Sequence, residues 1–156
     1  MPVGYLWALP ATLVGLVLTF AVGRPVEFAW FDGVIEVVPK RILGGGWISG
    51  QTWGWLVMYA DHAARRRRPI RVHERKHVRD NFWMGVFFYL VYGVNYLINR
   101  CRRSKLVGEG NLIAMSTRMG HQEAYRALWQ EKRAYGWQDL FEQGRVPLAW
   151  GAKLPA

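Results

Sequence analysis

His73-Glu74-Arg75-Lys76-His77 is the stretch that decides how this chain is read. It has the form H-E-x-x-H. On a helix, residues four apart share a face, so both imidazoles can reach one metal ion. Glu74 directly follows the first histidine and is placed to act as general base on a metal-bound water. Zinc lowers the pKa of such a water to about 7, which makes hydroxide available at neutral pH. The competing reading is a solvated, charged helix face that happens to spell HERKH.

A catalytic zinc usually keeps three protein ligands and one open position. Asp80 and Asn81 lie close to His77 along the same helix. Their spacing suits groups that hydrogen-bond the His77 ring and fix its orientation better than it suits ligands. A third ligand is expected from a second helix, over about residues 120–141. There Ala124, Ala127, Leu128, Ala134 and Tyr135 share one face, and Glu131 sits among them. A carboxylate in an apolar stripe needs a partner. A metal ion is one such partner, and one of the many arginines or lysines is the other. His121 and Glu123 are rivals at the start of the same segment, toward the flank of the stripe. Tyr125 and Tyr135 are candidate donors for polarising a substrate carbonyl, as is an arginine.

An HExxH helix followed by a Glu in an E-x-x-A-[YD] sequence resembles the gluzincin class of zinc metallopeptidases. More narrowly, the chain resembles a group of small, uncharacterised bacterial HExxH proteins with hydrophobic segments. The residues that carry this likeness run through most of the chain in order. They are Leu9-Pro10-Ala11-Thr12-Leu13-Val14-Gly15-Leu16, then Asp32-Gly33-Val34-Ile35-Glu36-Val37, then Thr52-Trp53-Gly54-Trp55-Leu56-Val57 leading to Asp61. His73 through Arg79, Gly85-Val86-Phe87-Phe88-Tyr89, Tyr125-Arg126 and Glu131 through Tyr135 complete it. The chain departs from the group's pattern at Asp80, Trp55 and Leu128-Trp129-Gln130. The resemblance implies His73, His77 and Glu131 as zinc ligands, Glu74 as the base, and a peptide or protein as substrate.

With 156 residues the expectation is one core. The single cysteine, Cys101, excludes an internal disulfide and a cysteine-based zinc site. No charged residue occurs from Met1 to Gly23, and residues 5–22 are almost wholly apolar. That length approaches the roughly 20 residues needed to cross a bilayer. The segment lacks the basic start of a cleavable signal peptide. A buried core helix is the soluble alternative. A second apolar run, residues 82–98, carries Tyr89, Tyr92, Asn95 and Tyr96 between strongly basic flanks, and is expected to be interfacial or buried.

Between the apolar segments, residues 26–38 alternate around Asp32-Gly33, a hairpin signal. Residues 47–59 read as one strand rich in Trp, Thr and Val. A glycine run at 44–46 breaks the chain, and residues 104–120 are expected to be irregular. The net charge of +10 would suit nucleic acid. The basic residues, however, cluster around an apolar helix, which fits an anionic membrane surface better. Nucleic acid is therefore disfavoured as a partner.

The expected architecture is α+β: a small zincin-like domain with a short antiparallel sheet, the HExxH helix, a later Glu-bearing helix and an N-terminal hydrophobic helix. Its expected parts are a membrane segment over 1–24, the metal-binding domain over 25–143 and a tail over 144–156. The expected function is that of a membrane-associated zinc metallopeptidase, at the inner membrane if the source is bacterial. The alternative is a non-catalytic, membrane-associated structural or interaction protein with a structural metal.

Overall fold

The alternating residues around Asp32-Gly33 do form a hairpin, β1 (Pro25–Phe31) and β2 (Val34–Pro39), paired antiparallel. Asp32 and Gly33 both take positive φ, 49° and 78°, as such a turn requires. The computed structural model describes residues 2–42, 48–106 and 118–145. The 44–46 glycine run, most of the 104–120 connection and the tail from residue 146 lie outside the described residues.

Residues 47–59, expected as one strand, contain a second hairpin, β3 (Gly50–Trp53) and β4 (Leu56–Tyr59). The reversal falls at Gly54, whose φ of +62° suits glycine. A Cβ there would also collide with Thr12 and with the carbonyl of Ala8. The two hairpins join through a parallel pairing of β2 with β4, so the sheet is mixed and ordered β1-β2-β4-β3. β3 is therefore an edge strand.

The fold is α+β, with six helices and this four-stranded sheet among the described residues. The helices are α1 (Pro2–Leu18), α2 (His62–Arg66), α3 (Arg68–Met84), α4 (Phe87–Leu106), α5 (Arg118–Arg126) and α6 (Trp129–Glu142). Asp61 caps α2 by accepting the Ala64 amide at 2.6 Å. Pro69 occupies the first turn of α3, where its missing N–H costs nothing.

Strand alternation sorts the sheet into two faces. Val34, Val38, Val57 and Tyr59 pack with Val78 of α3 and Ala64 of α2. Ile35, Val37, Leu56 and Met58 face the other way, toward Leu16 of α1. The sheet thus has the HERKH helix on one face and the N-terminal helix on the other, and the two helices also meet directly where Tyr5 packs on Phe82, ring centroids 4.7 Å apart. α1 is held along its whole length. Tyr5 donates to the Gly33 carbonyl at 2.8 Å, Thr12 Oγ1 accepts the Trp55 amide at 3.1 Å, and Thr19 contacts Met58 Sδ at 3.2 Å. Gly15 and Gly23 let the helix approach Trp53 and Pro39. After Leu18 it continues as a π-helical turn, Thr19–Gly23. The span Val3–Gly23 is long and apolar enough to cross a membrane, and one-third of it is buried.

The buried charges of α3 explain how so polar a helix enters a core. Arg71, Arg75, Val78 and Phe82 recur at helical spacing on the sheet side. Glu36, a carboxylate in the middle of β2, meets them there. It pairs with Arg71 Nη2 at 2.8 Å, Arg75 Nη2 at 3.1 Å and Arg65 Nε at 2.9 Å. Arg75 also donates to the carbonyls of Asp32 and Phe31 at 2.7 and 2.8 Å, tying the helix to the β1–β2 turn. Each buried charge has a named partner, which is the condition for burying it.

The apolar run after HERKH does not continue α3. The chain turns through 114° between α3 and α4. Gly85, at φ +54°, makes the corner, and a Cβ there would lie 2.5 Å from the Trp7 indole nitrogen. The expected 120–141 helix is likewise split. Leu128 leaves helical geometry with ψ 137° and is fully buried, and α6 begins afresh after it. No glycine or proline marks the break. Packing of the Leu128 side chain overrides a helix-favouring local sequence.

Candidate metal centre

His73 and His77 occupy the face of α3 turned away from the sheet, where α6 packs against it. Glu131 stands in the first turn of α6, a position where the helix dipole favours a carboxylate. The three side chains converge: His73 Nε2 lies 3.2 Å from Glu131 Oε2, His77 Nε2 lies 3.2 Å from Glu131 Oε1, and the two Nε2 atoms are 3.2 Å apart. All three residues are buried. A tetrahedral divalent ion with bonds of about 2.0–2.1 Å sets its ligand atoms roughly 3.3 Å apart. The separation of the two Nε2 atoms fits that edge length, and each imidazole meets its own oxygen of Glu131 at the same distance. Two imidazole nitrogens facing each other in a dry site would otherwise compete for one proton. Among the described residues, these three are the ones that together could hold a metal ion.

The electrostatics agree with an acceptor site for a cation. Burial alone would raise the Glu131 pKa, but His77 and His73 outweigh it and hold this carboxyl well below the usual carboxylate range. Tyr92 donates to Glu131 Oε1 at 2.9 Å. The Glu74 carboxyl moves the other way. Burial holds it above its ordinary value, against the pull of His73 and His77 and of a hydrogen bond from Thr52. That bond runs from Thr52 Oγ1 to Glu74 Oε2 at 2.7 Å. A raised pKa makes Glu74 a stronger base than an exposed carboxylate.

Glu74 rests against the edge strand. A Cβ on Gly50 would sit 2.5 Å from Glu74 Oε1 and 2.8 Å from its Cγ, so only glycine lets β3 pass this close. Two cavities meet at Gly50, Glu74 and Tyr125. One, of about 270 Å³, is polar and bordered by Arg67, His73, Arg126 and Tyr135. The other, of about 180 Å³, is lined by Trp53, Phe88, Tyr89 and Tyr92 and reaches His77 and Glu131. Tyr125 stands between them. Burial, then Glu131 and Glu74, hold its hydroxyl well above the usual phenol range, so it stays a donor. The Tyr135 ring packs edge-on against His73 at 4.6 Å.

Two expected neighbours serve other ends. Asp80 pairs with Lys76, one turn back, and Asn81 Nδ2 donates to the His77 backbone carbonyl at 2.9 Å. Neither bonds the His77 ring, whose Nδ1 has no protein partner. The reason is helical: at i+3 and i+4 from His77, both side chains lie alongside the backbone of the next turn while the ring points at α6. His121 pairs with Tyr96 on α4, and neither it nor Glu123 joins the cluster.

Gly50 and Tyr92 belong to the site without having been singled out by motif, and Thr52, which opens the 52–57 stretch, was given no role in it. For Tyr92 a signal existed. Tyr89, Tyr92 and Tyr96 are spaced three and four apart, so polar-tipped rings share one face of an apolar helix. Such a stripe needs hydrogen-bond partners. It finds them in the Gly54 amide, which donates to Tyr89 Oη at 2.7 Å, in Glu131 and in His121. Gly50 carried no such pattern.

Comparison with protein-family models, curated proteins and solved structures returns no match, so the functional reading rests on the geometry of this chain.

Proposed function

We propose that the chain is a membrane-associated, zinc-dependent metallopeptidase in which His73, His77 and Glu131 hold the ion. The observation that carries this reading is the convergence of two imidazole Nε2 atoms, 3.2 Å apart, on the two oxygens of Glu131, each also at 3.2 Å, with Glu74 beside them at the meeting point of two cavities. A zinc ion bound there supplies a Lewis acid and a water whose pKa is about 7. Glu74 accepts a proton from the attacking water and passes it to the leaving amine. Tyr125 donates to the carbonyl oxygen as negative charge develops. An extended peptide adds along edge strand β3 at its Gly50 end, which leads its backbone past Glu74. The apolar span Val3–Gly23 supports membrane association.

The test combines metal analysis with digestion. Purified full-length protein should contain about one zinc per chain, and Glu131→Ala should bind it at least about tenfold more weakly. The zinc-loaded protein should cleave a peptide library, and a chelator should stop it. Full zinc occupancy in Glu131→Ala at unchanged affinity would remove Glu131 from the site. Tight zinc without any cleavage would favour the second reading, in which the ion only staples α3 to α6.

Gly50→Ala separates binding from turnover. The added methyl must displace the Glu74 carboxylate, since the three atoms nearest to it all belong to Glu74. Zinc content should stay at wild type while cleavage falls by roughly tenfold or more. Unchanged cleavage would mean that the position of Glu74 does not matter to the reaction.

A further inference from the structure

The N-terminal helix has two contrasting sides. Its inner side is fixed to the sheet from Tyr5 to Gly23. Its outer side presents Leu6, Leu13, Val14, Val17 and Phe20, each at least half exposed. This apolar surface does not stop at the helix. On one flank Phe20 meets Phe28, with ring centroids 6.5 Å apart, and so joins the uncovered row Val26, Phe28 and Trp30 of β1. Those three face the same way as α1 because alternate residues of β1 share a side. On the other flank Trp7 meets Phe87 at 6.2 Å, and α4 continues the surface with Leu90, Val94 and Leu97. Monomeric soluble proteins rarely expose an apolar area of this extent.

We infer that this three-element face lies flat on an anionic lipid bilayer, with α1 in the plane of the membrane and not across it. This deepens the membrane reading above and is independent of the metal. A helix that crosses the bilayer must offer lipid most of its circumference. Here the sheet and α3 travel beside it, with exposed Arg79 on α3 and the polar cavity beside Glu74. Standing α1 upright would draw these polar groups toward bilayer depth, where a charged side chain is costly. Lying flat avoids this and buries the whole face together. The partner's charge is set by the rim. Where α1 ends, Arg24, Lys40 and Arg41 are exposed, and backbone bonds from Lys40 to Arg24 and from Arg41 to Gly23 hold them together. Three cations at the edge of an apolar plane complement anionic headgroups.

The test has two arms on the full-length chain. In the first, purified protein is mixed with sealed phosphatidylcholine–phosphatidylglycerol vesicles and sedimented. Leu13→Glu with Val17→Glu, both at exposed positions, should weaken binding about tenfold or more while leaving the circular dichroism spectrum unchanged. Unaltered binding would overturn the inference. So would wild-type protein that ignores vesicles and forms a dimer that the double variant loses, since a second copy would then cover the face. In the second arm, Cys101→Ser provides a cysteine-free background for Asp32→Cys or Lys40→Cys, exposed positions beside the two ends of α1. A membrane-impermeant maleimide is applied to spheroplasts and to inverted vesicles of the expressing cell. Both positions should react in the same preparation. Labelling from opposite sides would show that α1 crosses the bilayer, which overturns the in-plane arrangement while leaving membrane association standing.

Discussion

Replacing Glu74 by glutamine should leave the fold and the zinc content unchanged and lower peptide cleavage by roughly 10²–10⁴-fold. Glutamine keeps the shape of the side chain, and its carbonyl can still accept the hydrogen bond that Thr52 now gives to the carboxylate at 2.7 Å. What it cannot do is take a proton at neutral pH. The ligand triangle does not include Glu74, so loss of metal would not explain loss of rate. The measurement is cleavage of the best library peptide by wild type and variant at matched zinc occupancy. A variant that cleaves as fast as wild type would show that some other group is the base, and the proposed mechanism would fall with it.

Glu36→Ala should be the most destabilising single change in the described chain, by about 3–5 kcal/mol. Glu36 is the shared partner of Arg71 and Arg75 and one of two carboxylates on Arg65. Removing it leaves positive charge in a region closed to water. For a protein of this size such a loss lowers the melting temperature by roughly ten degrees or more. Chemical denaturation checks the free energy directly. A change under about 1 kcal/mol would mean that water reaches the arginines and that the cluster is not the anchor of α3.

The parts of the fold that could be read from sequence were those governed by local rules. The HERKH helix follows from four-residue spacing, and the first hairpin from Asp32-Gly33 within alternating residues. Glu131 was legible because a carboxylate on an apolar stripe demands a partner. What stayed hidden depends on long-range packing. The second hairpin is announced by a lone Gly54, which looks like a flaw in a strand until Thr12 and Ala8 of α1 are placed beside it. The break before α6 is set by burial of Leu128 and has no local marker. The buried network around Glu36 joins residues 29 to 39 positions apart. A charged helix ordinarily reads as a solvated one, yet from Arg71 to Asp80 only Arg79 is exposed. The N-terminal segment illustrates the same limit. Its composition fits a bilayer crossing, while its contacts make it a layer of the domain.

Arg75 and Lys76 are the two unspecified positions of the motif, and here they are engaged: Arg75 grips the sheet and Lys76 grips Asp80. Through Arg75 the turn of helix that carries both imidazoles is fixed against the sheet. The opposite wall is tied differently: among the described residues α6 rests chiefly on α3, with Arg133 3.7 Å from Asp80 and Glu131 held by Tyr92 of α4. Under the proposed metal reading, two ligands and the base would stand on a helix anchored to the sheet and the third ligand on a helix anchored mainly to that first helix. A bound ion would then be a cross-tie between the two walls of the cleft.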